Sequence, residues 1–160
     1  MAGRFFSSND LRTFETFNKE LVGDLRLSKD GIINQTIKLF KVSAEHTSTN
    51  LYGESTGGKI YKPGVKVNAL IESEDFSFET DEFGPDSNQA VTFAFQRKNL
   101  IDINLKPEIG DVINWNYAYF EINSINENML IGGDVDKNFD LVCTTHLTRL
   151  SRVNLTERQQ

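Results

Sequence analysis

The chain is poor in the residues that usually bring covalent or metal-centred chemistry: it has one cysteine, two histidines and three prolines among 160 residues. A lone Cys143 cannot close an intramolecular disulfide, which suits a reducing compartment or simple indifference to redox state and gives a buried thiol as its expected role. His46 and His146 lie far apart, with no paired cysteines and no H-E-x-x-H, so the sequence carries no zinc spacing and no cofactor is expected. Long apolar runs are also missing, whereas a membrane helix needs about 20 consecutive apolar residues. The opening MAGRFFSSND holds one basic residue and no apolar stretch of signal-peptide length, so the chain is expected to stay where it is made, in the cytoplasm. Positive charge is in short supply as well: 17 Lys and Arg face 23 Asp and Glu, for a net charge of -6. Tight nucleic-acid binding draws on cations that neutralise phosphates, so DNA should not be held tightly.

What is present is a patterned β sequence behind one helix. Ser8-Asn9-Asp10 offers N-cap chemistry before LRTFETFNKELVGDL, where Leu11, Phe14, Phe17 or Asn18, Leu21, Val22 and Leu25 recur at helical spacing. That stripe must bury against its own domain or a partner. After Gly31 the period becomes two: QTIKLFKV (35–42), VKVNALIE (65–72) and QAVTFAFQR (89–97) read as half-buried strands. Pro107 and Gly110-Asp111 mark a turn, VINW a short strand, Asn116-Tyr117 a reversal and AYFEINSI a further strand; Asn126-Glu127-Asn128 then reads as a turn. FDLVCTTHLTRL (139–150) supplies the last strand. The expected fold is mainly β, a small antiparallel barrel or sandwich with an N-terminal helix. The divisions are a helical arm over 1–31, the β domain over 32–150 and a polar tail over 151–160. ESEDFSFETDEFG (72–84), the densest acidic run, reads as a solvated loop.

Two motifs fail on their context. Gly53 and Gly58-Lys59 in YGESTGGKIYKPG have the spacing G-x-x-x-x-G-K, but Ile60 stands where a phosphate-binding loop needs Ser or Thr, and Pro63-Gly64 falls where its helix should run. Asp134, Asp136, Asn138 and Asp140 imitate the start of an EF-hand loop, but Phe139 and Thr145 occupy the places of its glycine and bidentate glutamate. No nucleophile elbow appears, and no catalytic residue is assigned. Trp115, Tyr117, Tyr119 and Phe120 read as core and cross-strand pairs, or as a ligand platform.

Taken in order, one set of residues resembles the neck, or head-completion, protein family of contractile-tailed bacteriophages of the T4 type. The run is Leu51-Tyr52-Gly53-Glu54, the aliphatic strand through Ala69 and Ile71 to Ser73, Phe83-Gly84, Val91-Thr92-Phe93, Pro107-x-x-Gly110-Asp111-Val112-Ile113 and Phe120-Glu121-Ile122-Asn123. The likeness is clearest over 51–123. It implies a non-enzymatic virion protein forming a homo-oligomeric ring, expected as a hexamer, between portal or adaptor and tail terminator, with DNA passing through. On that reading Phe14, Phe17, Leu21, Gly57, Gly58, Lys59, Arg149 and Arg152 are subunit or partner contacts. Glu72, Glu74, Asp75, Glu79, Asp81 and Glu82 are candidates to face the lumen. The rival is a stand-alone barrel that takes a sugar or small ligand on Trp115, Tyr117 and Tyr119; a carboxylate hydrolase ranks last, because the dense acids lie in the 72–84 run.

Overall fold

In the computed structural model, the residues described are 7–24, 29–33, 35–43, 45–47, 58–73, 77–81, 84–129, 138–148 and 153–154. The elements begin with α1 (Ser8–Val22), β1 (Gly23–Asp24), β2 (Lys29–Asp30), β3 (Thr36–Phe40), β4 (Lys59–Ile60), β5 (Val65–Asn68) and β6 (Leu70–Ser73). They continue with β7 (Ser77–Asp81), β8 (Gly84–Asn88), β9 (Ala90–Gln96), α2 (Arg97–Asp102), β10 (Val112–Trp115), β11 (Ala118–Met129), β12 (Asn138–Leu147) and β13 (Val153–Asn154). Among the described residues, no helix is long and apolar enough to cross a membrane.

Seven strands form one antiparallel sheet in the order β5-β3-β10-β11-β12-β9-β6. Its two outer strands are consecutive in the chain, separated by Ala69 alone. The first half of this stretch pairs with β3 (Ile37↔Val67) and the second with β9 (Ile71↔Phe93). The sheet therefore curls into a nearly closed barrel, with the fully buried Ala69 at the bend, its N–H donating to the Gln35 carbonyl at 3.1 Å.

Alternation fills the interior. Ile37 and Leu39, Val91, Phe93 and Phe95, Ile113, Phe120 and Ile122, and Leu141 and Cys143 form one buried cluster. A register shift between Ile122 and Ser124 returns the inward phase to Ile125, which pairs with Cys143, the usual effect of a bulge on a period-two pattern. Phe93 packs edge-on against both Trp115 and Phe120, with ring centroids 6.1 and 6.0 Å apart. Each large aliphatic or aromatic side chain buried this way contributes about 1.5–3 kcal/mol. At the β10–β11 hairpin, Asn116 and Tyr117 both have positive φ, 49° and 63°, as a two-residue turn of the primed type requires.

The strands expected at 35–42, 65–72 and 89–97 are present as β3, β5 with β6, and β9. Helix α1 starts at Ser8, with Ser7 as its N-cap in a capping box with Asp10, one position before the expected Ser8-Asn9-Asp10 cap. Three expectations change. The chain does not turn at Asn126-Glu127-Asn128: β11 runs on to Met129 because its pairing with β12 continues through Asn128↔Asp140. The run 72–84 is not simply a loop, since Ser77–Asp81 pairs with Gly84–Asn88, which meets the backbone groups that a loop would leave to water. The tail 151–160 contains β13, which pairs in parallel with β4.

A helix was not expected at α2, which follows β9 without an intervening residue. Asn99 and Leu100 are its buried residues. Ile103 and Leu105, just beyond it, pack on the barrel core, so this connection between β9 and β10 covers one end of the barrel.

Candidate interaction surface

Helix α1 has 15 residues and one buried side chain, Val22. Its inward face carries Leu11, Glu15, Asn18, Lys19 and Val22, while Phe14, Phe17 and Leu21 are 49%, 63% and 38% exposed. The apolar stripe legible in the sequence is thus divided: Leu11 and Val22 face the barrel, while Phe14, Phe17 and Leu21 are turned away from it. Phe14 keeps an aromatic neighbour, Phe139, at 6.1 Å between ring centroids.

Polar contacts hold this orientation. The Asn99 amide donates to the Gly23 carbonyl at 2.8 Å. Lys19 lies 3.0 Å from Asp24 and 3.8 Å from Asp102, which ties the last turn of α1 to the end of α2. The Ile32 and Ile33 amides donate to the carbonyls of Glu20 and Leu21, folding the chain back on the helix end. Gly31 makes that fold possible: a Cβ there would lie 2.3 Å from the Gly23 nitrogen and 2.4 Å from the Val22 carbonyl carbon. The exposed Ile32 extends the apolar surface at this end.

Beside α2 lies an open groove of about 650 Å³, lined by Leu100, Ile101, Leu105, Pro107, Ile109 and Ile125, with Arg97, Lys106, Glu108 and Glu127 among its polar lining. Ile101 and Ile109 are 58% and 69% exposed. A smaller pocket, bordered by Glu15, Gln96 and Phe139, shares Arg97 and Ile101 with it. The α1 surface and the groove are therefore neighbours around this end of the barrel. The groove was missed in the sequence because α2 was; Ile109, an apolar residue at a turn between Pro107 and Gly110-Asp111, was its readable signal.

Lys59 lies in β4 and ion-pairs with Glu121, and Gly58 takes a positive φ of 87° to enter that strand. Nearby, the buried Asp111 carboxylate accepts from the Val42 amide at 2.9 Å and the Glu108 amide at 2.8 Å. Burial raises its pKa above the usual 3.8 despite these bonds. Burial, and the charges of Glu121 and Asp111, push the Tyr61 phenol up to about 12. These groups clasp segment 41–43 to 60–62 and to the 107–111 turn, over the small cluster of Phe40, Tyr61 and Val112.

The other sequence candidates divide. Glu72 is exposed at the end of β6, and Glu79 and Asp81 fall on β7. Gly57, Glu74, Asp75, Glu82, Arg149 and Arg152 lie outside the described residues, as do Asp134 and Asp136 of the EF-hand-like run; Asn138 and Asp140 are in β12. Among the described residues, no cluster of three His, Cys, Asp or Glu could hold a metal ion. The aromatic platform is not assembled: Trp115 packs with Phe93 and Phe120, Tyr119 with Phe40, and Tyr117 stands 97% exposed at the hairpin tip.

No protein-family model matches the chain, and no curated protein matches it. Among solved structures, the chain is similar to one described as "Virion of native gene transfer agent (GTA) particle", with 14% identity and a TM-score of 0.43, over 71% of this chain and 92% of that one.

Proposed function

We propose that the protein is a non-enzymatic structural subunit of a phage-type virion, assembling as a homo-oligomeric ring in the neck between portal or adaptor and tail terminator. The observation that carries the reading is α1: a 15-residue helix with one buried side chain and an outward stripe of Phe14, Phe17 and Leu21. Isolated helices of about 12–15 residues are marginal in water, and helices are held chiefly by burying an apolar face. A stripe left outside is a surface prepared for another protein.

The resemblance to the neck family supplies the place. Of the residues that carry it, those described fall at Ala69, in β6, at the start of β8, in β9, in the 107–113 turn and strand and in the first part of β11, while Leu51–Glu54 and Phe83 lie outside the described residues; they include the buried Ala69, Val91, Phe93, Asp111, Val112, Ile113, Phe120 and Ile122. The likeness therefore concerns the barrel. The net charge of -6 suits a conduit through which DNA passes without tight phosphate contacts. Ring interfaces are heterologous and close by rotation, which calls for two different surfaces on each subunit.

Quantitative mass spectrometry of purified particles from the source, with peptides of this chain counted against those of the portal protein, tests the assignment. A fixed low copy number, in simple ratio to the portal, is expected. Absence from the particle overturns it.

A further inference from the structure

Two cross-strand pairs in this chain put like charges side by side, one pair cationic and the other anionic. Lys38 of β3 stands directly opposite Lys66 of β5, and Glu79 of β7 directly opposite Asp86 of β8. Residues paired in this way share one face of the sheet, with Cβ atoms about 4.5–5.5 Å apart, and like charges there are destabilising. Accepting the self-assembly proposed above, we infer that the β7–β8 hairpin of one copy docks on the β3–β5 face of a second copy, its Glu79–Asp86 pair meeting the Lys38–Lys66 pair.

The lysine face has no counter-charge of its own. Both lysines are exposed, and among the described residues no salt bridge reaches either of them. They border an open hollow of about 460 Å³ with Thr36, Asn114, Trp115 and Asn116, a lining that holds two cations and no acid. The next residue across the sheet from Lys38 is Asn114. Along the strands, the residues two positions away are Thr36, Phe40 and Asn68, on the same face by the period of two, and none is charged. A lysine on an outermost strand deters strand addition, which accounts for Lys66 on β5. Lys38 lies one strand further in, between β5 and β10, so edge protection does not extend to it.

The occupant is read from charge and register. Residues 72–88 contain seven acids and neither lysine nor arginine, and the hairpin within them carries Glu79, Asp81 and Asp86. Both like-charge pairs sit directly opposite in antiparallel ladders, so the anionic pair has the backbone spacing of the cationic one, an acid for each lysine. Charge matched pair by pair fixes register and rejects other partners. Hairpin and lysine face are also two different surfaces of one subunit, as a closing ring requires. A phosphodiester backbone is the other anion that a lysine pair attracts, but the net charge of -6 opposes it.

The test uses the full chain in sedimentation velocity, with thermal melting as the control for folding. Lys38→Glu with Lys66→Glu makes both surfaces acidic, and Glu79→Lys with Asp86→Lys makes both basic. Each double variant alone is expected to self-associate about tenfold or more weakly than the parent with an unchanged melting curve. An equal mixture of the two should assemble again, because each hairpin then finds a face of opposite charge. Glu79→Gln with Asp86→Asn, which keeps side-chain shape, should also weaken assembly and guards against misfolding of the charge-reversed hairpin. A mixture that assembles no better than its components would overturn the pairing, as would a parent chain that stays monomeric at every concentration. Unchanged self-association of the Lys38→Glu, Lys66→Glu protein, with loss of binding to a fluorescent duplex oligonucleotide that the parent holds, would give the face to nucleic acid and overturn it too. None of these results touches the copy number measured in particles, so the neck assignment stands or falls separately.

Discussion

The Asn99 side-chain amide donates to the Gly23 carbonyl at 2.8 Å, joining the helix that covers the barrel end to the C-cap of the helix that carries the exposed stripe. Asn99 is 1% exposed, so this bond replaces one that water would otherwise supply. Asn99→Ala leaves the Gly23 carbonyl without its donor and should cost about 1–3 kcal/mol in urea denaturation. The stability loss should be accompanied by earlier proteolytic cleavage around residues 23–33.

Gly31→Ala should be destabilising for a steric reason independent of helix or strand propensity. The new methyl would meet backbone atoms of Val22 and Gly23 at 2.3–2.4 Å, and backbone cannot move aside as a flexible side chain can. A loss of about 1–3 kcal/mol is expected, as for overpacked sites. An unchanged denaturation midpoint would show that the 31–33 segment does not dock on α1 in solution.

Phe14 and Phe17 should respond differently to serine. Phe17 is 63% exposed, so Phe17→Ser should stay within about 0.5 kcal/mol of the parent in stability. Phe14 touches Phe139, so Phe14→Ser should lose about 0.5–1.5 kcal/mol, the worth of an aromatic pair. Paired denaturation curves read the difference directly.

Asp111 gives an acid-side signature. Its folded pKa is raised above 3.8, chiefly by burial, so between 3.8 and that higher value the folded state binds more protons than the unfolded one. Stability from this group therefore grows as pH falls through the window and is lost as pH rises through the folded pKa. Asp140, raised by burial as well, acts in the same direction. Urea titrations across the acid range should show Asp111→Asn losing this component, so that it declines more steeply on acidification than the parent. A parallel decline would sink the assignment.

Cys143 should be silent to thiol reagents in the folded protein. It is fully buried, and burial, with the charge of Asp111, pushes its thiol up to about 12, which leaves little thiolate to react. Labelling at mildly alkaline pH should proceed only as fast as the chain unfolds. Rapid labelling in native buffer would mean that the barrel opens locally at β12.

The sequence made the barrel legible because its strands alternate strictly: Val91, Phe93 and Phe95, or Ile37 and Leu39, can face only one way. It left α2 hidden, since RKNLID is about one and a half turns with no side-chain bond at its N-cap, too short to show a helical period. The β7–β8 hairpin was obscured by its acids, which argue for solvent whether or not the backbone pairs. The stripe on α1 was readable as residues, but its direction was not. That direction is set in part by Asn99 on Gly23 and Lys19 on Asp102, contacts between segments far apart in the chain that no local pattern encodes. The Gly58-Lys59 pair was legible as a motif without its context, but the Glu121 partner of Lys59 needed the fold to be seen.

Because one stretch, interrupted only at Ala69, furnishes both margins of the sheet, each margin offers a newcomer no more than the four residues of β5 or β6. Strand-by-strand accretion, the route to open-ended fibres, needs longer unpaired rims than these. A second copy of this chain would therefore have to be recognised through side chains, whose shapes can stop at a counted number.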